Sequence, residues 1–423
     1  MALARSCRAP NFSISVVFSR AGASRFSVAV EALLLGGLSA SVGAVAFRYG
    51  DGEASLLVLP MLVGWAHATR RATLFFAVLA YQLAVSSGIA DAFQQFFPDA
   101  PPEAAYLVWL GYCAPSAVLF ALLRPVGGTI QRGASAAAAL IIAALPGFGV
   151  VFAGHPVFAA GELLPGTGAA GVIFTVLLAA LLLGTDYQNQ AAVRTTGAVV
   201  SAFLIVGFAV RFHAADPPTL EHVVALDMVQ PSLRQGSFAE YQDLAKVTAS
   251  IRDGAPAAHT TIILPEAVSS PATAARLQWW RNELGDFFGA GGVLVIGESS
   301  SGEGKSAARI SAWSYSWSDA RQSVPLVEWR PWQVANRYQG LGFHRSVLAG
   351  ARGERLQIVQ CYEALVPYLL VIDSLDHPDA VIAQTNVWWA RSRDIPDSLH
   401  VHAALRARLL GASLITARGV AER

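Results

Sequence analysis

The sequence predicts a bundle of about seven membrane-spanning α-helices in residues 1–215, followed by a layered α/β domain in residues 220–423. Composition is the first reason, because 54% of the 423 residues are hydrophobic and only 14% are charged, with a mean hydropathy of +0.46. Ordinary soluble proteins are less apolar than this. The second reason is that charged residues are sparse between Phe26 and Phe212 and of normal density from Glu221 onward. The third is the alternation of strand-like and helical patterns after Val223.

Apolar segments of the first half have the length of transmembrane helices. Because a helix needs about 20 apolar residues to cross the hydrocarbon core, we predict spans at about 27–47, 54–69, 72–90, 104–123, 134–153, 168–184 and 195–212. The second and sixth segments are short and the first contains Glu31, so the count is open by one.

Arginine-rich and arginine-poor connections alternate between these segments. The arginines of the rich connections are Arg5, Arg8, Arg20, Arg25, Arg70, Arg71, Arg124, Arg132 and Arg194. The connections at 91–103 and 155–166 contain neither Lys nor Arg. Because positive residues stay on the cytoplasmic side, the pattern predicts a multi-pass inner-membrane protein with an uncleaved anchor. Its second half is then periplasmic in a Gram-negative cell.

Charge and cysteine usage argue against several other classes of protein. A net charge of +1 creates no field that attracts nucleic acid. The three cysteines, Cys7, Cys113 and Cys361, form no CxxC motif, and the histidines show no metal-binding spacing with a nearby acid. We therefore expect no metal, no cofactor and no nucleic-acid contact.

The patterns of the second half predict strands interleaved with helices, which is typical of a layered α/β fold. The predicted strands cover 223–230, 260–268, 291–299, 309–317, 355–360, 380–385 and 412–417. The predicted helices cover 238–252, 272–288 and 400–410.

Two predicted strands end at residues that suit nucleophilic chemistry. Cys361 follows an apolar strand, where a thiol faces substrate and the N–H of Tyr362 points to the position of an oxyanion. Glu266 ends another strand, and a partly desolvated carboxylate has a raised pKa and accepts a thiol proton. Taken alone, Cys361 also fits a small buried hydrophobe, and Glu266 fits an exposed turn.

Six motifs in a fixed order resemble the nitrilase (carbon–nitrogen hydrolase) superfamily. They are ILPEAV (263–268), VLVIGES (293–299), VPLVEW (324–329), QCYEALVP (360–367), TNVWWA (385–390) and LRARLLGASLITA (405–417). With the apolar half in front, nearly the whole chain is similar to the apolipoprotein N-acyltransferases, whose periplasmic domain is an αββα sandwich. No further span follows the last predicted strand, and in this the chain resembles the TraB-type plasmid conjugal transfer proteins.

The resemblance implies a Glu–Lys–Cys triad. It matches Glu266 to the general base and Cys361 to the nucleophile. It matches Glu363 and Glu328 to two further acids of the family. The other residues that fall in the motifs of the site are Tyr362, Asn386 and Trp389. In the family the thiolate attacks a phospholipid ester, forms a thioester and passes the acyl chain to an amine.

The family lysine has no direct counterpart. At its position, eight residues before Glu328, the chain has Ala320, and Arg321 is the next residue. We predict Arg321 as the cationic partner of the oxyanion, although a guanidinium has a different geometry and no acid–base role. The lysines of the second half are Lys246 and Lys305, and Lys305 falls in a predicted Gly/Ser-rich loop, GEGKS, too early for a direct match.

Two hypotheses of function follow. In the first, the protein is an acyltransferase- or amidase-like membrane enzyme that uses Cys361, Glu266 and Arg321. A membrane phospholipid donates the acyl chain, and the amine of a protein or peptide accepts it. In the second, motivated by the absent family lysine, a nitrilase scaffold with lost or weakened chemistry acts as an accessory factor of the conjugation machinery.

Overall fold

The computed structural model describes residues 25–50, 52–149, 151–229, 238–254, 256–271, 273–300, 304–325, 328, 340–390 and 392–420. The predicted basic terminus at Arg5, Arg8 and Arg20 lies outside these residues, as does Cys7. So do residues 326, 327 and 329 of the VPLVEW motif.

Helices make up the first half of the described chain, which we call the helical half. They are α1 (Arg25–Ala46), α2 (Val58–Ala66), α3 (Arg71–Val85), α4 (Gly88–Phe96), α5 (Pro102–Leu122), α6 (Thr129–Ala144), α7 (Ala160–Leu163), α8 (Ala169–Gly184) and α9 (Gln190–His213).

Fewer of these helices are long enough to cross a membrane than the sequence predicted. Among the described residues three qualify by length and composition, namely Val28–Ala46 of α1, α5 and α9. Helices α3 and α4 meet at an angle of 56° and count together as a fourth. The remaining apolar helices, Glu53–Ala66, α6 and α8, have 10–17 residues. The prediction of seven spans is therefore wrong.

Chain breaks inside the apolar segments explain the difference. The segment predicted at 134–153 contains Pro146 and Gly147, and α6 ends before them at Ala144. Proline disfavours a helical conformation at the residue before it and removes a backbone hydrogen bond of the helix. Hydropathy averages over such breaks, so an apolar segment of spanning length can contain a shorter helix.

The long helices keep large apolar side chains on their outer faces. Leu33 and Leu34 of α1, Leu107 of α5 and Phe208 of α9 are all exposed. A soluble protein rarely exposes contiguous apolar surface of this kind, and such surface marks a membrane or protein interaction site.

Strands and helices alternate in the second part of the described chain, which we call the α/β half. Its strands are β1 (Val223–Ala225), β2 (Met228–Val229), β3 (Thr261–Ile263), β4 (Val293–Ser300), β5 (Gly304–Ile310), β6 (Tyr315–Asp319), β7 (Val347–Ala349), β8 (Arg355–Gln360), β9 (Ala380–Asn386) and β10 (Ser413–Val420). Its helices are α10 (Phe238–Asp253), α11 (Ala274–Glu283), α12 (Gly285–Gly289), α13 (Pro367–Asp373) and α14 (Asp394–Leu410).

The strands form two mixed five-stranded sheets. The orders are β1-β3-β4-β5-β6 and β2-β10-β9-β8-β7. Buried residues of both sheets, such as Ile263, Val295, Ile358 and Ile382, share one core between them. Helices α10 and α11 cover the outer face of the first sheet, and α14 covers that of the second. These layers have the αββα order that the resemblance implied.

Three predicted strands differ from the structure. The run at 260–268 is a strand only over Thr261–Ile263. The run at 223–230 divides between β1 and β2, which belong to different sheets. The run at 309–317 covers the turn of the β5–β6 hairpin, where the hydroxyl groups of Ser311 and Ser314 are hydrogen-bonded at 2.7 Å. Period-two alternation continues through a tight turn, so the sequence pattern did not mark it.

Helix α14 packs the α/β half against the helical half. The ring of His402 stacks on Phe47, with centroids 4.7 Å apart. Arg408 pairs with the buried carboxylate of Glu162. Gly161 approaches so closely that a Cβ there would lie 1.9 Å from the carbonyl oxygen of Leu405. The two halves therefore share a packed interface.

Candidate active site

Cys361 lies at a strained turn at the carboxyl end of β8. It begins the 3-10 turn Cys361–Leu365 and has a φ of +39°, which is uncommon for a residue with a side chain. β8 pairs in parallel with β9, so the end of β9 is adjacent, and the backbone of Asn386 favours the ionised thiol. The turn holds the thiol at the wall of a cavity.

Glu266 reaches the same cavity from the end of β3. The chain after β3 lies against β4 at Gly297, where a Cβ would be 2.4 Å from the Cα of Glu266. Only glycine allows this approach. The Glu266 carboxylate and the thiol of Cys361 line the same cavity and influence each other's pKa. Glu266 and Cys361, on different sheets, thus meet at one edge of the sandwich.

Lys305 is the cation beside these groups. Its Nζ lies 2.7 Å from Oε1 of Glu266 and also contacts the carboxylate of Glu328. Lys305 belongs to β5 and not to a loop, because the β4–β5 hairpin pairs Ser299 with Lys305. The hairpin folds Lys305 back beside the strand end where Glu266 lies.

Sequence reasoning placed Lys305 outside the site because it counted positions back from Glu328. A signal was available in the strand pattern. Ala307 faces the core between the sheets, and residues two apart in a strand face the same side. Lys305 therefore faces inward at the end of β5, where an unpaired lysine would be costly to bury.

Burial and neighbouring charges set the ionisation of the site. Burial, together with the nearby Glu328, raises the pKa of Glu266, while Lys305 opposes the rise. Burial and the carboxylate of Glu266 raise the pKa of Cys361 well above its ordinary value, against the effect of Lys305. Burial alone would lower the pKa of Lys305, but Glu266 and Glu328 hold it well above its usual value. The resting site therefore has a neutral thiol and a charged ammonium.

Arg321 does not occupy the position that the sequence predicted. Its side chain is 0% exposed and forms salt bridges with Asp373 and Glu363, the latter at 3.2 Å. Burial alone would lower the pKa of Arg321, but Asp373 and Glu363 raise it. The guanidinium is thus committed to ion pairs beneath the turn, while the ammonium of Lys305 lies beside Glu266. The expectation that Arg321 is the oxyanion partner is corrected accordingly.

Glu363 lies behind the turn that begins at Cys361. Its carboxylate accepts hydrogen bonds from the backbone N–H groups of Gln360 at 3.2 Å and Gln322 at 3.3 Å, and from that of Arg321. These contacts join the residue before Cys361 to the backbone at Arg321 and Gln322. Glu363 therefore stabilises the turn from the buried side.

A cavity of about 680 Å³ connects the thiol to the helical half. Most of its wall is apolar, and it includes Cys361, Glu266, Lys305 and Glu328 at one part. The helical half supplies lining residues from α3, α4 and α5, namely Val85, Ile89, Phe93, Phe96, Val108, Gly111 and Tyr112. The volume is that of a site for a small organic ligand.

Aromatic residues of both halves meet in the wall of this cavity. The hydroxyl groups of Tyr362 and Tyr112 are hydrogen-bonded at 3.0 Å. The rings of Trp389 and Phe96 have centroids 5.1 Å apart, and the Trp389 indole donates to the carbonyl of Asn386 at 2.9 Å. Tyr362 and Trp389 thus join the nucleophile region to α5 and α4.

The chain is similar in sequence to two conjugal transfer proteins. It is 27% identical to the conjugal transfer protein TraB of Agrobacterium fabrum strain C58. That match covers 94% of each chain. The identity to the probable conjugal transfer protein TraB of Sinorhizobium fredii strain NGR234 is 26%, over 85% of this chain and 90% of that protein. No family model matches the chain.

Solved structures of the amidase from Nesterenkonia sp. AN1, a protein of the nitrilase superfamily, resemble about half of the chain. One mutant of that amidase matches 47% of this chain and 77% of the amidase, with 14% identity and a TM-score of 0.33. A second mutant matches 47% and 75%, with 15% identity and a TM-score of 0.33.

Proposed function

We propose that the protein is a membrane-bound acyltransferase that moves an acyl chain from a phospholipid to an amine through a thioester on Cys361. One observation carries the proposal: a thiol, two carboxylates and an ammonium meet in the wall of an apolar cavity that apolar helices help to build. An acyl chain is the ligand that suits both the apolar lining and the nucleophile.

The first half-reaction begins with Glu266 as the base. Its carboxylate takes the thiol proton, and the thiolate of Cys361 attacks the carbonyl carbon of the phospholipid ester. The ammonium of Lys305 and the N–H of Tyr362 stabilise the tetrahedral oxyanion. The carbon–oxygen bond then breaks, the leaving alcohol takes the proton from Glu266, and the thioester remains.

The second half-reaction returns the enzyme to its starting state. The neutral amine of a protein or peptide attacks the thioester carbonyl and loses a proton to Glu266. The carbon–sulfur bond breaks and an amide is released. The thiolate of Cys361 recovers the proton from Glu266, so no oxidant, metal or cofactor enters the balance.

The test is acyl labelling of the full chain in detergent micelles with an alkyne-tagged palmitoyl phospholipid. We expect a hydroxylamine-sensitive label on wild-type protein and none on Cys361→Ala. Gly111→Leu fills the cavity, because an added Cβ at Gly111 meets no atom within 4 Å, and we expect labelling to fall at least tenfold. The matched control is Gly37→Leu, an equally open helix position that does not line the cavity. Labelling that is independent of Cys361 contradicts the proposal.

We further propose that this chemistry serves plasmid conjugation, as the names of the relatives suggest. The accessory-scaffold hypothesis was motivated by an absent lysine, and the contacts of Lys305 remove that motive. Conjugation frequency separates the two hypotheses. Cys361→Ser and Glu266→Gln should reduce transfer as strongly as deletion, whereas normal transfer with both variants supports the scaffold.

The charge distribution supports an inner-membrane protein with a periplasmic α/β half. Arg124 donates to the carbonyl of Ala68 at 2.9 Å and Arg132 to that of Thr185 at 2.8 Å. These contacts gather arginine-rich connections at one end of the helical half, which the positive-inside rule assigns to the cytoplasm. Alkaline phosphatase fused after Val420 should be active, and a fusion at Gly127 should be inactive. The reverse pattern would invert the proposed orientation.

A further inference from the structure

We propose that Arg406 is a positioning residue that holds the nucleophile turn in its strained conformation and ties it to the helical half. The inference rests on the proposed function only in taking Cys361 as the nucleophile. Sequence reasoning gave Arg406 no role, although it lies within the last of the six motifs.

Two contacts carry this role. Nη2 of Arg406 donates to the backbone carbonyl of Glu363 at 2.9 Å, and Nη1 donates to Oδ2 of Asp373 at 2.7 Å. Glu363 is the third residue of the turn that Cys361 begins. One guanidinium therefore joins the turn to the last residue of α13.

The surroundings make these contacts hard to replace. Arg406, Arg321 and Asp373 are 0% exposed, and Glu363 is 1% exposed. Two cations and two anions thus form a neutral buried cluster, in which Asp373 is shared between both arginines. Removing one member of a buried ion pair leaves an uncompensated charge. Lysine keeps the charge of Arg406 but has no planar fork that reaches both acceptors.

The same helix is fixed to the helical half on another side. Arg408, two residues on, pairs with Glu162, and Glu162 also pairs with Arg211 near the end of α9. Leu405 packs against Gly161 and Gly52. Contacts with the helical half therefore fix the position of α14, and Arg406 connects α14 to the turn that begins at Cys361.

The experiment measures alkylation of Cys361 by iodoacetamide in the full chain in detergent, from pH 6 to pH 10, by mass spectrometry of the Cys361 peptide. Arg406→Lys is the main variant, and the matched control is Arg252→Lys, at an exposed arginine of α10 that pairs with Glu283. For Arg406→Lys we expect at least a tenfold lower alkylation rate at neutral pH and a changed pH profile. We also expect a lower kcat for phospholipid with an unchanged KM. Arg252→Lys should keep the wild-type pH profile.

A purely structural role for Arg406 would lower the folded fraction and leave the pH profile of the folded protein unchanged. That result would overturn the inference. If Arg406→Lys does not fold, Arg406→Gln is measured in the same way and the same criterion applies. If the wild type forms no thioester but Arg406→Lys changes the alkylation profile, the proposed function fails and the positioning role stands.

Discussion

Replacing Lys305 by methionine removes the ammonium that two site carboxylates share and keeps a side chain of similar length. The side chain of Lys305 is 12% exposed, and its Nζ contacts Glu266 at 2.7 Å and also Glu328. A buried pair that loses one partner typically costs about 3–5 kcal/mol. Protonation of Glu266 will recover part of this, so the folded protein should bind an additional proton near neutral pH.

Lys305→Met should slow the reaction as well as destabilise the fold. Lys305 is the cation proposed to stabilise the oxyanion, and removal of one such donor costs about 10²–10³ in rate, or about 2.7–4 kcal/mol. A protonated Glu266 also cannot accept the thiol proton. We therefore expect thioester formation on Cys361 to fall by at least about 10³-fold.

The chain provides its own control, because Lys246 and Lys305 are its only lysines. The side chain of Lys246 is 78% exposed and pairs with Asp243 on α10, away from the cavity. Both methionine variants are compared by rate of acyl labelling and by thermal unfolding. Wild-type labelling in Lys305→Met, or an equal loss in Lys246→Met, would refute the assignment of Lys305.

Three further predictions test the surroundings of the site. Burial raises the pKa of Glu266 above its ordinary 4.5, so labelling should fall as the pH drops through that raised value and protonates the base. A profile without this acid limb would contradict the role of Glu266, and Glu266→Gln should lack activity at every pH. Gly297→Ala should lower the free energy of unfolding by about 1–3 kcal/mol and slow labelling of Cys361. The reason is that the new Cβ would lie 2.4 Å from the backbone of Glu266. An unchanged melting curve would disprove the close approach. Gly161→Ala should weaken the contact between the halves, since its Cβ would lie 1.9 Å from the carbonyl oxygen of Leu405. The expected result is faster proteolysis between the halves. A wild-type rate of proteolysis would show that the contact is not required.

The sequence singled out Cys361 and Glu266 because each lies shortly after an apolar strand. Cys361 follows β8 and Glu266 follows β3 closely, and the ends of parallel strands meet at one edge of a sheet. The family order of the motifs predicted that the two residues share one site, and the structure shows that they come from different sheets. The same reasoning failed for the cation, because spacing along the chain pointed to Arg321.

Position in three dimensions decided the roles of the charged residues. The β4–β5 hairpin brings Lys305 back to the edge where Glu266 lies. This reversal of chain direction cannot be found by counting residues back from Glu328. Arg321 is adjacent to the expected position but faces Glu363 and Asp373 beneath the turn. Charge type alone did not distinguish a cation in the cavity from one in a buried cluster.

By itself the sequence determined the division into an apolar helical half and an α/β half, since composition and local periodicity follow directly from the order of residues. It did not determine how many helices are long enough to span a membrane, because Pro, Gly and Ser break helices inside apolar segments. Only the tertiary structure brought α3, α4 and α5 against the strand ends to close a cavity around Cys361. Contacts between residues far apart in the chain depend on packing of whole elements, and local patterns carry little information about that packing.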